Sequence, residues 1–259
     1  MTKSMRKNVS PILEVSRLAH AFGGLTVLDG VNFSVAPGQV TALIGPNGSG
    51  KSTCFNIVSG FLKPDHGSVF LNGNDISNLL VHQRCDLGMV RTFQTPKIFG
   101  HLSVLDNLRS GSYRLGNSGW VENLLQTFSA RNDQELATEK ALAMAKWFGL
   151  TRLLDTNAGL LPAGQQRMVE LARAMASSPS VLLLDEPSSG LSASEIQELR
   201  ERILALCDLG ISVLLVSHDL GLAAAASQVH VLCVGRIIAS GAMGEIEQNT
   251  QVRMAYLGI

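Results

Sequence analysis

The chain of 259 residues is long enough for one large α/β domain or two small ones. Apolar residues make up 46% of it, which allows a sizeable core, whereas charged residues make up only 16%, below the roughly 25% typical of soluble domains. The low charge predicts that partners cover part of the surface, and the formal net charge of zero gives no sign of a general nucleic-acid-binding protein.

Cysteine usage and the N-terminus indicate the compartment. The four cysteines, at positions 54, 85, 207 and 233, form no C-x-x-C pair, and no histidine stands at a spacing typical of zinc sites. We therefore expect reduced thiols in a cytosolic protein. Residues 1–10 lack the apolar segment of a signal peptide. No membrane-spanning segment is expected either, because the chain has no run of about 18 uncharged apolar residues.

The first part of the chain is predicted to be rich in β-structure. Its apolar and β-branched residues show partial alternation, and glycine, proline and asparagine turns separate the runs. The predicted strands are residues 12–15, 27–35, 40–44, 67–73 and 88–93.

A glycine-rich loop follows the third of these strands and precedes a helix predicted to start near Lys51. The loop reads Gly45-Pro46-Asn47-Gly48-Ser49-Gly50-Lys51-Ser52-Thr53. Strand, glycine loop, Lys-Ser and helix together form the P-loop pattern of nucleotide-binding proteins. The glycines let backbone N–H groups point inward at phosphates, and the helix N-terminus adds a positive field. We expect Lys51 to reach the β- and γ-phosphates, Ser52 to bind Mg²⁺ and Thr53 to donate nearby.

The pattern changes to helices over residues 95–176, where a capping-box spacing at 103–106 and helical periodicity over 133–149 stand out. Between them, 111–132 is rich in Gly, Ser and Asn around Trp120 and is expected to be the loosest part. After 177 strands return, and a helical tail is expected beyond a turn at Gly235-Arg236. The later predicted strands are 181–184, 211–216 and 229–234, with helices at 193–207 and 219–226.

These segments predict one domain over residues 12–258. Its nucleotide-binding core would contain residues 12–94 and 177–245, into which residues 95–176 are inserted as a helical subdomain. Residues 246–258 would form a C-terminal helical tail.

Two neighbouring buried strands are each followed by polar residues. Asp185 and Glu186 follow one of them, and the carboxyl end of such a strand is where ligands bind. Asp185 is expected to hold Mg²⁺ through water, and Glu186 to orient or deprotonate the attacking water. His218 follows the next strand. A lone histidine is more often structural, but this position favours a hydrogen bond from His218 to the γ-phosphate.

The segment Leu161-Pro162-Ala163-Gly164-Gln165-Gln166-Arg167 precedes a helix predicted over 168–175, and by itself it reads as an ordinary loop. Taken in order, however, the P-loop, Gln94, this Leu-x-x-Gly-Gln, the pair Asp185-Glu186 and His218 resemble the ATPase subunit of an ABC transporter. The resemblance covers about residues 12–258. It implies an α/β fold: a P-loop NTPase (RecA-like) core with an N-terminal antiparallel β subdomain and an inserted α-helical subdomain.

The resemblance also implies roles for single residues. Phe22 would stack on adenine, although by itself it is as likely to be a core residue. Gln94 would contact Mg²⁺ and water and link the site to a membrane permease. Gly164 and Gln165 would contact the ATP held by the opposite subunit, which implies a head-to-tail dimer with ATP and Mg²⁺ as cofactors.

Three shorter motifs, at residues 90–94, 161–166 and 255–258, look like those of the branched-chain amino-acid importer branch of the family. In that branch two different ATPases commonly pair, and a solute-binding protein delivers the solute. The resemblance places such a subunit peripherally on the cytoplasmic face of the inner membrane, with no nucleic acid as partner. The alternatives are the ATPase of a related importer, such as one for urea or amides, a soluble ABC-type ATPase acting on DNA or ribosomes, and a P-loop kinase.

The sequence departs from the family pattern in two places. Pro162 and Ala163 replace the usual Ser and Gly of the signature, so the hydroxyl that would contact the partner's γ-phosphate is missing. Ser192 stands where the D-loop usually ends in Asp. The site that this chain completes on its partner is therefore expected to be slower, whereas the chain's own site retains its motifs. The solute stays undetermined, because the ATPase does not contact it.

Overall fold

The computed structural model describes residues 10–112 and 128–257. Their contacts form two compact units. The first contains the described residues up to Met89, together with Ser180–Glu186 and those from Ile203 onwards. The second contains the described residues of Val90–Pro179 and Pro187–Arg202. In the described residues, no helix has the length and apolar character that crossing a membrane requires.

Strands and helices are mixed along the chain, as expected for an α/β protein. The strands are β1 (Leu13–Phe22), β2 (Leu25–Val35), β3 (Val40–Ile44), β4 (His66–Leu71), β5 (Asn74–Asp75), β6 (Met89–Arg91), β7 (Val181–Asp185), β8 (Ser212–Val216), β9 (Gln228–Cys233) and β10 (Arg236–Gly241). The helices are α1 (Lys51–Val58), α2 (Val81–Asp86), α3 (Val104–Ser112), α4 (Phe128–Trp147), α5 (Ala163–Ala176), α6 (Ala193–Asp208), α7 (Leu220–Ala223), α8 (Met243–Gln248) and α9 (Thr250–Leu257).

The first unit contains a four-stranded antiparallel sheet in the order β2-β1-β4-β5. It confirms the N-terminal β subdomain expected from the resemblance. The first strand is longer than predicted and runs to Phe22, because the turn at Gly23-Gly24 lets β2 pair back along it as far as Leu25. Both glycines have positive φ, which a tight reversal of the chain favours.

A second sheet has the strand order β10-β9-β3-β8-β7-β6. Strand β3 is parallel to both β8 and β9, and β7 is parallel to β8. All residues of β3 and β8 are buried, which explains their continuous apolar runs. Because these strands are parallel, the residues that follow β3, β7 and β8 come to the same edge of the sheet.

The core of the first unit surrounds α1, the helix that begins with Lys51. It includes Cys54 and Phe55 from that helix, with apolar residues from β1, β2, β4, β7 and β8. All four cysteines are free thiols, and burial raises the pKa of Cys54 to about 12, so this thiol packs as a small apolar residue. Arg84 donates to carbonyls at the C-terminal end of α1.

The second unit is built around three helices, α3, α4 and α5, which pack on one another. Ser103 caps α3, since the N–H of Asp106 donates to the Ser103 hydroxyl at 3.1 Å, and the helix start predicted there is confirmed. At Gly111 a Cβ would lie 2.1 Å from the Arg173 carbonyl oxygen. Glycine is therefore required where α3 and α5 approach each other.

Several boundaries differ from the predictions. The helix expected at 168–175 starts at Ala163, so the Gly164-Gln165 motif lies in its first turn and not in a loop. The helix expected at 133–149 starts at Phe128 and ends at Trp147. Trp120 lies outside the described residues.

The C-terminal region also differs from the prediction. It does not turn directly into a helical tail, because β10 first pairs antiparallel with β9 across a two-residue turn. Val234 and Gly235, the two residues of that turn, both have positive φ, which suits the twist of a tight hairpin.

Candidate active site

The glycine loop between β3 and α1 is shaped by close packing and by left-handed backbone. A Cβ at Gly45 would lie 2.1 Å from the Leu232 carbonyl oxygen, and a Cβ at Gly50 would lie 2.8 Å from the Val27 carbonyl oxygen. Gly48 and Gly50 have φ of 77° and 103°, which residues with a side chain rarely adopt. The loop is thus confined between β9 and β2, and only glycine fits at these positions.

The N-terminus of α1 provides donors for an anion. Gly50 is its N-cap, no described side chain caps it, and its first turn contains no acidic residue. The first N–H groups of a helix have no partner within the helix, so they remain available to a phosphate. The buried Ser49 hydroxyl has no hydrogen-bond partner among the described residues, which adds a further donor to this loop.

Lys51 is the cation of the loop. Its Nζ donates to the carbonyl oxygens of Gly45 at 2.7 Å and Pro46 at 2.9 Å. Burial lowers the pKa of Lys51, while the Glu186 carboxylate acts in the opposite direction. The ammonium group is therefore held inside the loop, next to the glycines that define it. Asn47 and Ser52 are exposed, and Thr53 is half-buried.

Two acidic residues end the neighbouring strand β7. Asp185 is its last residue. Glu186 follows with φ of 44°, a conformation that costs roughly 1–3 kcal/mol for a residue other than glycine. The N–H of Glu186 donates to the Val216 carbonyl oxygen at 2.8 Å, so the end of β8 fixes this strained residue in place.

Glu186 and His218 form a pair across the ends of β7 and β8. The Oε2 of Glu186 lies 2.6 Å from His218 Nδ1, and it accepts from the His218 N–H at 3.2 Å. The carboxylate side chain is 14% exposed, while the imidazole is 62% exposed. The structure thus brings together two residues predicted to be catalytic, with one carboxylate oxygen held by two groups of His218 and the imidazole exposed.

Two of the described side chains could provide some of the ligands of a magnesium ion. Ser52 and Asp185 provide hydroxyl and carboxylate oxygen, the ligands that Mg²⁺ prefers. No group of three or more His, Cys, Asp and Glu residues in the described chain could hold a metal ion by itself. Most ligands would therefore have to come from phosphate and water, as is usual for Mg²⁺.

Phe22, predicted to stack on adenine, is 51% exposed at the end of β1. The ring of His20 contacts it edge-on at a centroid distance of 4.6 Å. Its hairpin partner β2 contains Val27, whose carbonyl borders Gly50. Phe22 is therefore an accessible aromatic face on the hairpin that flanks the loop, and its role stays a prediction.

Gln94, Gly164 and Gln165 belong to the second unit. A buried ion pair that the sequence reading missed, Arg167 and Glu170, joins the segment of Gln94 to helix α5. Arg167 donates to the carbonyl oxygens of Phe93 at 2.7 Å and Gln94 at 2.6 Å. The only signal of this ion pair in the sequence is two opposite charges three positions apart on an otherwise apolar helix face.

Glu170 completes this contact from the other side. Its Oε1 accepts from the Lys97 N–H at 3.0 Å and from the Phe93 N–H at 3.4 Å. The structure therefore holds the Gln94 segment and the helix that begins at Ala163 against each other by four partly buried hydrogen bonds. The catalytic and ligand-binding roles of Gln94, Gly164 and Gln165 stay predictions.

Known proteins resemble this chain along nearly its whole length. The pattern of the family described as ABC transporter matches residues 28–189. The high-affinity branched-chain amino acid transport ATP-binding protein BraF of Pseudomonas aeruginosa is 38% identical over 251 residues, which are 96% of this chain and 98% of that protein. LivG of Escherichia coli, with the same descriptive name, is 36% identical over 250 residues, covering 96% of this chain and 98% of LivG.

The solved structures that resemble this chain are ATP-binding cassettes of ABC transporters, as the sequence relatives are. A nucleotide-free ATP-binding cassette from an ABC transporter has a TM-score of 0.83 at 33% identity, over 96% of this chain and 100% of that one. A cassette of an ABC transporter in its ADP conformation has a TM-score of 0.84 at 33% identity, over 96% and 99% of the two chains. The predicted fold class and the resemblance are both confirmed.

Proposed function

Because this chain belongs to the ABC transporter family of ATP-binding subunits, we propose that it hydrolyses ATP to power a membrane permease that imports branched-chain or related amino acids. The observation that carries the proposal is the Glu186–His218 pair, with a separation of 2.6 Å, at the sheet edge where the P-loop also lies. A phosphate-binding loop beside a fixed carboxylate and an accessible imidazole suits hydrolysis of a phosphoanhydride.

Each residue has a role in this proposal. The N–H groups of the P-loop and Lys51 bind the phosphates, and Phe22 stacks on adenine. Glu186 orients or deprotonates the attacking water, and His218 donates to the γ-phosphate. Ser52 and Asp185, joined by Gln94 according to the resemblance, would hold a Mg²⁺ ion that neutralises phosphate charge when bound.

The partners follow from the family. The chain would pair head-to-tail with a second ATPase subunit, so that Gly164 and Gln165 contact the nucleotide of that subunit. The pair would lie on the cytoplasmic face of the inner membrane and drive two permease subunits. A solute-binding protein would deliver the solute to these permease subunits. Without the signature serine, the partner's site lacks one charge-assisted hydrogen bond, worth on the order of 1.5–3 kcal/mol.

The first test is purification of the tagged chain from its native membranes, with identification of the proteins that accompany it. We expect permease subunits, a second ATPase and a solute-binding protein. Recovery of soluble or ribosomal partners alone, from membranes whose other complexes survive extraction, would contradict the proposal.

The second test is transport by the recovered complex in lipid vesicles. Labelled leucine, isoleucine and valine are offered in one arm, and urea and short amides in another. Uptake of the amino acids that depends on ATP is the expected result. Lys51→Ala should abolish it, whereas Lys63→Ala, at an exposed lysine of the same unit, should not. Normal uptake with Lys51→Ala would contradict the proposed function.

A further inference from the structure

The aromatic ring of Phe22 contacts a buried histidine. The rings of His20 and Phe22 stand nearly at right angles, with an interplanar angle of 83° and 4.6 Å between their centroids. A perpendicular arrangement at this distance is a favoured geometry for two aromatic rings. His20 is 8% exposed, whereas Phe22 is 51% exposed at the end of β1. A ring that is fixed by burial therefore holds a ring that lies at the surface.

The nitrogens of the His20 ring do not explain its position. Neither of them makes a hydrogen bond to a described group. Nδ1 lies 3.4 Å from Oδ2 of Asp65, but that oxygen accepts from the N–H of Ala21 at 2.7 Å. A buried polar group without a hydrogen bond costs free energy. The shape of the imidazole ring, and not its hydrogen bonding, therefore connects His20 to its surroundings.

The backbone before Phe22 is irregular and is held in place by one aspartate. The pairing of β1 with β2 shifts register twice between Leu18 and Ala21. Such bulges re-aim side chains and are common next to active sites. Asp65 fixes this part of β1, because its carboxylate accepts from the Ala21 N–H and its own N–H donates to the Ala19 carbonyl oxygen at 3.0 Å. The backbone that carries the two rings is therefore fixed independently of any ligand.

The hairpin that carries these rings also borders the P-loop. Phe22 pairs with Leu25 at the start of β2, and two positions further along β2 the Val27 carbonyl oxygen would lie 2.8 Å from a Cβ on Gly50. Since a strand rises about 3.3 Å per residue and paired strands lie about 5 Å apart, the backbone of Phe22 is on the order of 10 Å from the edge of the loop. All of these residues belong to the first unit.

We propose that His20 is a positioning residue that holds the Phe22 ring in the orientation that receives the base of the nucleotide. The inference rests on the proposed function, in which Phe22 stacks on adenine. An exposed aromatic side chain has several rotamers, and restricting them before the ligand arrives lowers the entropy cost of binding. His20 therefore raises the affinity for the base and leaves the phosphate contacts of Lys51 unchanged.

The test measures binding to the isolated full chain by calorimetry. The chains compared are unchanged, His20→Ala, His20→Phe, Phe22→Ala and the double variant His20→Ala/Phe22→Ala. Phenylalanine at position 20 keeps an aromatic ring without the two nitrogens. His66→Ala is the matched control, because His66 is exposed on the neighbouring strand β4, where it pairs with Ala19. The ligands are ATP and inorganic triphosphate, which has no base.

We expect His20→Ala to weaken ATP binding about threefold to tenfold, the size of the contact between two aromatic rings. Phe22→Ala should weaken it about tenfold or more, the size of a lost stacking contact with a base. His20→Phe and His66→Ala should bind ATP like the unchanged chain. The double variant should lose no more than Phe22→Ala, because His20 acts through that ring.

Inorganic triphosphate separates positioning from a general effect on the fold. Its affinity should be the same for the unchanged chain and His20→Ala, because it contacts the P-loop alone. A merely structural role for His20 would weaken the binding of both ligands alike, and that result overturns the inference.

Three other results would also overturn it: unchanged ATP binding in His20→Ala, a His20→Phe chain as weak as His20→Ala, or a further loss in the double variant. If His20→Ala melts below the temperature of the titration, His20→Leu replaces it, since leucine fills the space without a ring, and the same criteria apply. Normal ATP binding by Phe22→Ala contradicts the role of Phe22 in the proposed function, and the inference falls with it. A weakened Phe22→Ala beside an unaffected His20→Ala overturns the inference alone.

Discussion

Nη1 of Arg84 lies 2.7 Å from the carbonyl oxygen of Val58, the last residue of the helix that begins with Lys51. The same nitrogen donates to the Ile57 carbonyl oxygen at 2.7 Å, and Nη2 donates to that of Ser77 at 3.0 Å. Burial lowers the pKa of Arg84 to about 10, so the guanidinium remains charged at neutral pH. A cation thus stabilises the negative end of α1, while the positive end faces the predicted phosphates.

Replacing Arg84 should therefore destabilise the fold. Arg84→Met leaves several buried carbonyl groups without a donor, and we expect the free energy of unfolding to fall by about 3 kcal/mol. Arg236→Met is the control, because this arginine is 70% exposed in its pair with Asp29 and should contribute under about 1 kcal/mol. Urea unfolding of the full chain measures both, and equal losses would contradict the role of Arg84.

Glu186 should affect the rate of ATP hydrolysis and not the affinity for ATP. Glu186→Gln removes the base while keeping the shape of the side chain, so hydrolysis by the assembled complex should slow by about 10²–10⁴-fold. The affinity for ATP should stay near that of the unchanged chain. Single-turnover hydrolysis and nucleotide retention measure the two quantities. An unchanged hydrolysis rate would remove Glu186 from the catalytic role.

The buried pair Arg167–Glu170 should show the thermodynamics of a buried ion pair. The side chains are 1% and 3% exposed, with 2.6 Å between Nη1 and Oε2. Arg167→Met alone leaves a buried carboxylate unpaired and should cost about 3–5 kcal/mol. The double variant Arg167→Met/Glu170→Leu removes both charges and should recover part of that loss. Urea unfolding measures both variants, and a double variant less stable than the single one would contradict this account.

His230 should make the fold sensitive to acid. Burial lowers its pKa from 6.5 to about 4, and its Nδ1 lies 2.7 Å from the Ser240 hydroxyl. Between these two pH values the unfolded chain binds a proton that the folded chain does not, so stability falls as pH falls from 6.5 towards 4. The loss is on the order of 3 kcal/mol when complete.

The check on His230 is the difference in unfolding free energy between pH 7 and pH 4.5, which is larger for the unchanged chain than for His230→Gln. Glutamine keeps a hydrogen-bonding group near Ser240 but does not titrate. His66→Gln, at an exposed position, controls for the substitution itself. Identical pH dependence in all three chains would show that His230 is not responsible.

Local sequence signals were sufficient for the parts of the site that short segments build. The P-loop and the strands that end at Asp185 and Val216 could be predicted, because glycine spacing and apolar runs are properties of neighbouring residues. The start of α5 was missed, because Pro162 and Gly164 both read as loop residues, although proline suits the start of a helix. Strand β10 was missed because its pairing with β9 is a contact between segments and not a property of a short stretch of sequence.

Contacts between distant segments could not be predicted in the same way. Arg167 and Glu170 have the spacing of an ordinary surface pair on a helix, and only the packing of residues 93–97 against them makes them buried. The contact of Glu195 with Gly164 likewise depends on how α5 and the start of α6 meet within the second unit. Neither contact can be predicted from a short segment of the sequence.

The strand order of the second sheet has a consequence for synthesis of the protein. Strand β3, which leads into the P-loop, pairs with β8 and β9, and the Gly38 N–H just before it donates to the hydroxyl of Ser212, 174 positions later. At about 5–20 residues per second, a ribosome needs roughly 10–35 s to cover that distance. During this interval β3 lacks the strands with which it pairs, so the apolar residues of β3 have no sheet to cover them until β8 and β9 are translated.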